Sequence, residues 1–320
     1  MNEKMSRGKL IFTVLLSVAM LAMAGNGWTM TRTIQKEPAI VIAAFGTTTK
    51  ARVTYDFFDA QLRKELPKEY RNLKIVWAFT SEIVRERANA KFKKAGSAER
   101  YLSLVQVLAN LENEGYRKVA VQPLHIFPGQ EFEDMEREIA AFSMIGLRIE
   151  NGGTLLHDWE WLFETVSVLE KEFLAPNEGM NVLVAHGTPE TFAGSNATYL
   201  GLDRYLSRKY PNVVAGGVDG VLTREQALAA VKAFPVKRAR LIPFMYVAGD
   251  HIMNDIMADK PDKHGELSWA LELEKAGIKV DSVFTEYKGE RCFKGLGFYK
   301  EINSRYIKQL VDSLKRLEER

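Results

Sequence analysis

Two histidines, His186 and His251, each follow an apolar run and each sit within two residues of a glycine. Neutral imidazole is a good ligand for first-row divalent metals, and its pKa near neutrality also suits proton abstraction. A neighbouring glycine lets a ligand approach the backbone closely. Most histidines in proteins are satisfied structural residues, so position is what distinguishes these two. His251 closes the stretch RLIPFMYVAGDH (240–251), where a doubly buried strand pattern reaches a turn.

An internal repeat extends the candidate site. Residues 118–131, KVAVQPLHIFPGQE, align with 238–251, RARLIPFMYVAGDH, at a constant shift of 120 positions. The shift superposes Pro123 on Pro243, Gly129 on Gly249 and Glu131 on His251. Ala44-Phe45-Gly46-Thr47 likewise matches Ala185-His186-Gly187-Thr188. The chain therefore reads as two copies of one α/β unit, with a binding crevice at the carboxyl ends of its strands. Alone, Glu131 reads as a first-turn acid favoured by the helix dipole, and the repeat raises it to a candidate ligand. Asp219 follows the strand pattern of 213–218, which points its carboxylate toward the same crevice. Two imidazoles and a carboxylate form a site with open positions, one that exchanges its ligand. Asp250 and Asp255 are expected as a cap and as a solvated or supporting carboxylate. Arg85 and Arg87 follow the second strand and are candidates to hold substrate carboxylates by bidentate hydrogen bonds, though such residues more often line a solvated helix face. His125 divides evenly between core packing and the site rim. His157 and His264, in polar loops, receive no role, which accounts for all five histidines.

The elements that must carry these residues alternate. Strands are expected at 39–45, 73–79, 119–126 and 147–155 in the first half, with helices at 51–66, 80–87, 97–114 and 131–142. A helix at 159–173 precedes a boundary at 176–179. In the second half, strands at 182–185, 213–218, 241–247 and 280–284 alternate with helices at 200–208, 224–233, after His251 and at 267–276. A long amphipathic helix, 298–317, ends the chain. Alternation of this kind predicts an α/β fold of two similar lobes, 38–176 and 180–320, each a parallel sheet with helices on both faces. Gly46 and Gly187 are isolated, so neither a dinucleotide fingerprint nor a P-loop is present and no nucleotide cofactor is expected.

With 320 residues, 46% hydrophobic and 27% charged, the chain is long enough for two cores and has an ordinary globular composition. A net charge of +3 is too small and too evenly spread to suggest nucleic acid. Lys4, Arg7 and Lys9 precede an apolar stretch, 10–24, that ends in Ala22-Met23-Ala24. This is the pattern of a cleaved signal peptide, 1–24, and predicts a periplasmic protein. The alternative, an uncleaved anchor, is disfavoured because the apolar run is shorter than the ~20 residues a span needs. The lone cysteine, Cys292, excludes an internal disulfide. A homo-oligomer is left open by the apolar face of the last helix.

The openings AAFGTT and VAHGT, with VQPLHIFPGQEF and IPFMYVAGDHIMND, resemble the sirohydrochlorin cobalt chelatases of the anaerobic cobalamin pathway, two-domain class II chelatases related in fold to ferrochelatase. The resemblance runs from about residue 39 to the last helix, and VAGDH with the following Asn-Asp is its most specific part. It implies that His186, His251 and Glu131 bind a divalent metal, Co²⁺ or Fe²⁺, that is inserted into a tetrapyrrole, with a histidine also acting as general base. The family's further glutamate falls on the shorter Asp219. The family's cobalamin synthesis is cytoplasmic, so an exported copy departs from the pattern and admits a second reading, a periplasmic metal or tetrapyrrole carrier without turnover.

Overall fold

Ala39–Ala44 (β1) is buried at every position, as a strand covered on both faces must be, and it lies inside a parallel sheet. The computed structural model describes residues 33–189, 191 and 193–319, so the expected signal peptide lies outside the described residues. The first sheet has the order β2-β1-β3-β4, with β2 at Ile75–Phe79, β3 at Lys118–Pro123 and β4 at Arg148–Asn151. The second has the order β6-β5-β7-β8, with β5 at Met180–Ala185, β6 at Val213–Gly217, β7 at Arg238–Pro243 and β8 at Lys279–Ser282. All pairings in both sheets are parallel. The register repeats as well: Ala43 pairs with Pro123 in one sheet, and Val184 with Pro243 in the other. The α/β class expected from the repeat is the architecture observed.

Helices cover both faces. The first half contributes α1 (Val53–Glu65), α2 (Glu82–Lys94), α3 (Leu104–Asn113), α4 (Gln130–Met144) and α5 (Trp159–Leu169). The second contributes α6 (Ala193–Lys209), α7 (Arg224–Ala233), α8 (Trp269–Lys275) and α9 (Lys300–Glu318). Alternate residues of β1 serve different layers. Ala39, Val41 and Ala43 pack with Leu104, Leu108 and Met135, whereas Ile40, Ile42 and Ala44 face Phe58 and Leu62. This second layer continues into Leu183, Ala185 and Ile242 of the other half, so one core joins the two sheets.

The halves also exchange helices. In α9, Ile302, Tyr306, Leu310, Leu314 and Leu317 are fully buried, and the helix packs over β3 and β4 of the first sheet. Each such burial contributes roughly 1.5–3 kcal/mol. In return, α5 lies on α6: the Trp159 ring fills the space a side chain at Gly201 would need, and Phe163 sits 4.4 Å from Tyr205. Residues 35–320 accordingly form one compact unit.

Element bounds shift in several places, the 241–247 strand to Arg238–Pro243 and the 80–87 helix to Glu82–Lys94 among them, and three expectations change in kind or extent. The helix expected at 97–114 begins only at Leu104, where Ser103 and Gln106 form a capping box. The residues before it stay outside the helix, with Tyr101 stacked on Phe79 at 3.7 Å. The strand expected at 280–284 ends at Ser282 and is followed by a hairpin, β9 (Phe284–Tyr287) and β10 (Glu290–Phe293), that turns at Lys288-Gly289 with both φ positive. The helix expected after His251 is a single π-helical turn, Ile252–Ile256. Among the described residues no helix is long and apolar enough to cross a membrane.

Candidate active site

The carboxyl ends of β1, β3, β5, β6 and β7 open into one cavity of about 600 Å³. Its walls include Phe45, His125 and Glu131 from the first half and His186, Asp219, Asp250 and His251 from the second. Glu131 and His251, paired by the repeat, thus face the same space.

His186 and His251 lie side by side, ring centroids 4.8 Å apart at 80°. The Nδ1 of His186 is 3.2 Å from the Gly187 carbonyl oxygen, which can only accept, so Nδ1 carries the hydrogen and Nε2 keeps its lone pair. The Nδ1 of His251 is 2.5 Å from Asp255 Oδ2, an arrangement that again leaves Nε2 free. One helical turn separates His251 from Asp255, so the tight turn after the glycine places a supporting carboxylate under the imidazole. Burial and the neighbouring His251 hold the His186 pKa below the usual imidazole range. His186 is therefore presented as a neutral ligand.

Close approach fixes the backbone here. Gly187 has φ +89°, and a Cβ on it would lie 1.8 Å from the Asp219 carbonyl oxygen. The Asp219 N–H donates to the His186 carbonyl at 3.0 Å, and its carboxylate accepts from the Gly220 N–H at 2.8 Å. Asp219 thus lines the cleft while closing its own turn. The two halves also seat each other reciprocally. A Cβ at Gly129 would meet Thr188 Oγ1 at 3.2 Å, and one at Gly249 would meet Thr47 Oγ1 at 2.9 Å.

Across the cavity, Glu131 sits in the first turn of α4, and burial raises its pKa while hydrogen bonding from Thr80 lowers it. It also lines a neighbouring polar cavity of about 440 Å³ with Thr80, Glu82, Arg85, Asp134 and Glu138. Among the described residues no three His, Cys, Asp or Glu side chains stand close enough together to enclose an ion. The imidazole pair and the carboxylates are spread around the cavity, an open arrangement.

The remaining sequence candidates separate. Arg87 lines the cleft, but Arg85 does not: its guanidinium donates to the Phe79 and Thr80 carbonyls, which holds it in the neighbouring cavity. His125 is buried at the cleft wall, and burial pushes its pKa down to about 4. His157 is bound to the Thr154 carbonyl at 2.9 Å, and His264 is exposed on a loop. Cys292 is buried. Sequence reasoning missed Phe45 as a site residue. It is 40% exposed, an unusual state for a phenyl ring, and stands 5.9 Å from the His186 ring. Its place opposite His186 in the repeat was the available signal. Thr80 was missed as well, and nothing in its spacing marks it.

A model of the cobalt chelatase (CbiK) family matches residues 38–315. The sirohydrochlorin cobaltochelatase CbiKC of Nitratidesulfovibrio vulgaris is 29% identical over 264 residues, which covers 78% of this chain and 85% of that protein. A sirohydrochlorin cobaltochelatase of Salmonella typhimurium is 27% identical over 211 residues, covering 66% and 74%. Among solved structures, SirB from Bacillus subtilis with Fe³⁺ superposes with a TM-score of 0.54 at 12% identity, over 89% of this chain and 98% of that one, a likeness of fold.

Proposed function

The chain belongs to the cobalt chelatase (CbiK) family, a family of lyase-class enzymes, and from that premise we propose that it inserts Co²⁺ or Fe²⁺ into sirohydrochlorin within the cleft. The observation that carries this reading is the pair of adjacent imidazoles, each with Nδ1 engaged and Nε2 free. Insertion exchanges two pyrrole N–H protons for one M²⁺. The pair serves both needs, since one ring holds the metal while the other accepts the two pyrrole protons in turn and passes each to solvent, and a base with pKa near neutrality is suited to that transfer. Glu131 and Asp219 offset the metal's charge from the cavity walls, and Arg87 is placed to meet a carboxylate of the macrocycle. Holding metal and macrocycle in one cavity supplies proximity.

The basic and apolar pattern of 1–24 supports export to the periplasm. N-terminal sequencing of the native protein tests this, and Met1 on protein from the cytoplasm would refute it. Turnover tests the enzyme reading: purified protein is expected to metallate many equivalents of sirohydrochlorin with Co²⁺. A stop near one equivalent per chain would mean a carrier.

A further inference from the structure

The second half carries a piece that the first half lacks. Arg148 pairs with Lys118 as Lys279 pairs with Arg238, and the Leu155 and Leu296 N–H groups donate to the equivalent carbonyls of His125 and Met245. From Arg148 to Leu155 is seven residues and from Lys279 to Leu296 seventeen, and the ten extra residues are the length of the hairpin Phe284–Phe293. The repeated unit is therefore complete without β9 and β10. At the base of the hairpin the Lys294 N–H donates to the Val283 carbonyl at 2.9 Å, so the chain leaves the shared plan and rejoins it at one point.

The insertion crosses to the other half. Alternation along its strands puts Thr285, Tyr287 and Cys292 on one face. Cys292 is buried, and β10 packs against the turn Lys50–Arg52. The Tyr287 ring lies 5.2 Å from Phe57 of α1 and 6.4 Å from Phe298. At the tip, Lys288 Nζ is 3.0 Å from Asp56 Oδ2. Lys288 has φ +50°, and among the described residues no other non-glycine residue has positive φ. Asparagine or glycine fits that turn position at less cost, so the lysine is explained by what its side chain reaches. An exposed ion pair adds little to stability, and what it does set is the place of the tip on α1.

Both anchors lie beside the cleft. The turn at 50–52 follows Thr47 and Thr48, and α1 carries Tyr55, all three of which line the cavity. Thr47 is also the residue against which Gly249 packs, two residues before His251. We propose that the hairpin is a positioning strap for metal insertion. It holds the 47–55 wall of the first half at a set distance from His186 and His251 of the second, so that a macrocycle seated on that wall meets the metal. This rests on the metal-insertion reading of the cleft. A displacement of about 1 Å, even from a change far from the reacting atoms, can lower a rate by about 10²-fold.

The test replaces 284–293 with Asn-Gly, which makes Val283 and Lys294 the ends of a four-residue turn closed by the hydrogen bond they already form. Circular dichroism and thermal melts establish whether this variant is folded. Its kcat for Co²⁺ insertion into sirohydrochlorin is expected to fall about 10–100-fold. Calorimetric titration with Co²⁺ alone should give a Kd near that of the unaltered protein, because both imidazoles belong to the second half. Lys288→Asp and Asp56→Lys should each lower kcat, and combining them should restore it, since the pair is then reversed and intact. If the strapless chain does not fold, this charge exchange decides the matter alone. Unaltered kcat in the folded strapless variant, Co²⁺ binding lost in step with kcat, or no restoration in the double exchange would each overturn the proposal. His186→Ala in the same assays separates the two readings. If it inserts Co²⁺ as fast as the unaltered protein, the histidine reading of the cleft fails, and this inference fails with it. If it is slow while the strapless variant is not, only the strap's role fails.

Discussion

The two halves solve one structural problem in the same way and then diverge in chemistry. In each, the glycine after the first strand donates its N–H to a tyrosine hydroxyl, Gly46 to Tyr55 at 3.0 Å and Gly187 to Tyr199 at 3.1 Å. In each, a glycine at the start of the later turn lies against a threonine of the opposite half. The side chains at the cavity differ. Phe45 stands where the second half has His186, and Glu131 where it has His251. Geometry that both halves need has been kept, because each half is the other's steric wall. The side chains that face the cavity carry no such reciprocal contact, and there the halves differ. The result is a cleft with two imidazoles and the Asp219 carboxylate on one wall and an apolar ring with the Glu131 carboxylate on the other, which suits a cation that must be bound and then given up.

The contrast can be broken most severely at the imidazoles. His186→Ala and His251→Ala are each expected to lower the initial rate of Co²⁺ insertion on the order of 10²–10⁴-fold with the circular dichroism spectrum retained. His264→Ala serves as the control, and variants as fast as that control would end the histidine mechanism.

A second test weighs the first half's own histidine. His125 has a folded pKa of about 4 against 6.5 when unperturbed. The unfolded chain then binds more protons between those values, so stability is full above pH 6.5 and declines as pH falls toward 4. The loss amounts to about 3 kcal/mol. Denaturant titrations across that range should show a slope that disappears in His125→Phe. A slope unchanged by that substitution would assign the acid sensitivity elsewhere.

A third compares the paired glycines. Gly187→Ala drives its Cβ against the Asp219 carbonyl, a backbone atom, whereas at Gly46 the nearest atom, at 2.9 Å, is the Val84 side chain. Both positions have positive φ, but only the Val84 contact can give way. We expect Gly187→Ala to cost about 2 kcal/mol or more and Gly46→Ala about 1 kcal/mol, read from urea midpoints. Equal costs would mean that the halves are alike in packing as well as in hydrogen bonding.

The smallest effect is on pH dependence. Metal binding and proton removal both need neutral imidazole, and burial lowers the His186 pKa. The acid limb of kcat/KM should therefore fall below the ordinary imidazole value of roughly 6.5. An acid limb above that value would point to a different controlling group.

By itself the sequence determined the α/β class, the two-fold plan and the strand ends that meet at the cavity. Apolar runs buried on both faces and glycine turns are local signals, and a repeat carries them across the chain without reference to contacts. Phe45 and His186, or Glu131 and His251, are related by alignment alone. Tertiary structure alone decided what depends on groups far apart in sequence. The halves exchange α5 and α9 because each helix has an apolar stripe that could be buried on either sheet, and the stripe does not say which. Arg85 leaves the cleft because two carbonyls capture its guanidinium. Thr80 and His125 meet 45 residues apart in sequence, at the ends of β2 and β3, which flank β1 in an order no spacing records. Hydrogen bonds of that kind form only after the core has set the distances, and a pattern of residue types along the chain carries no trace of them.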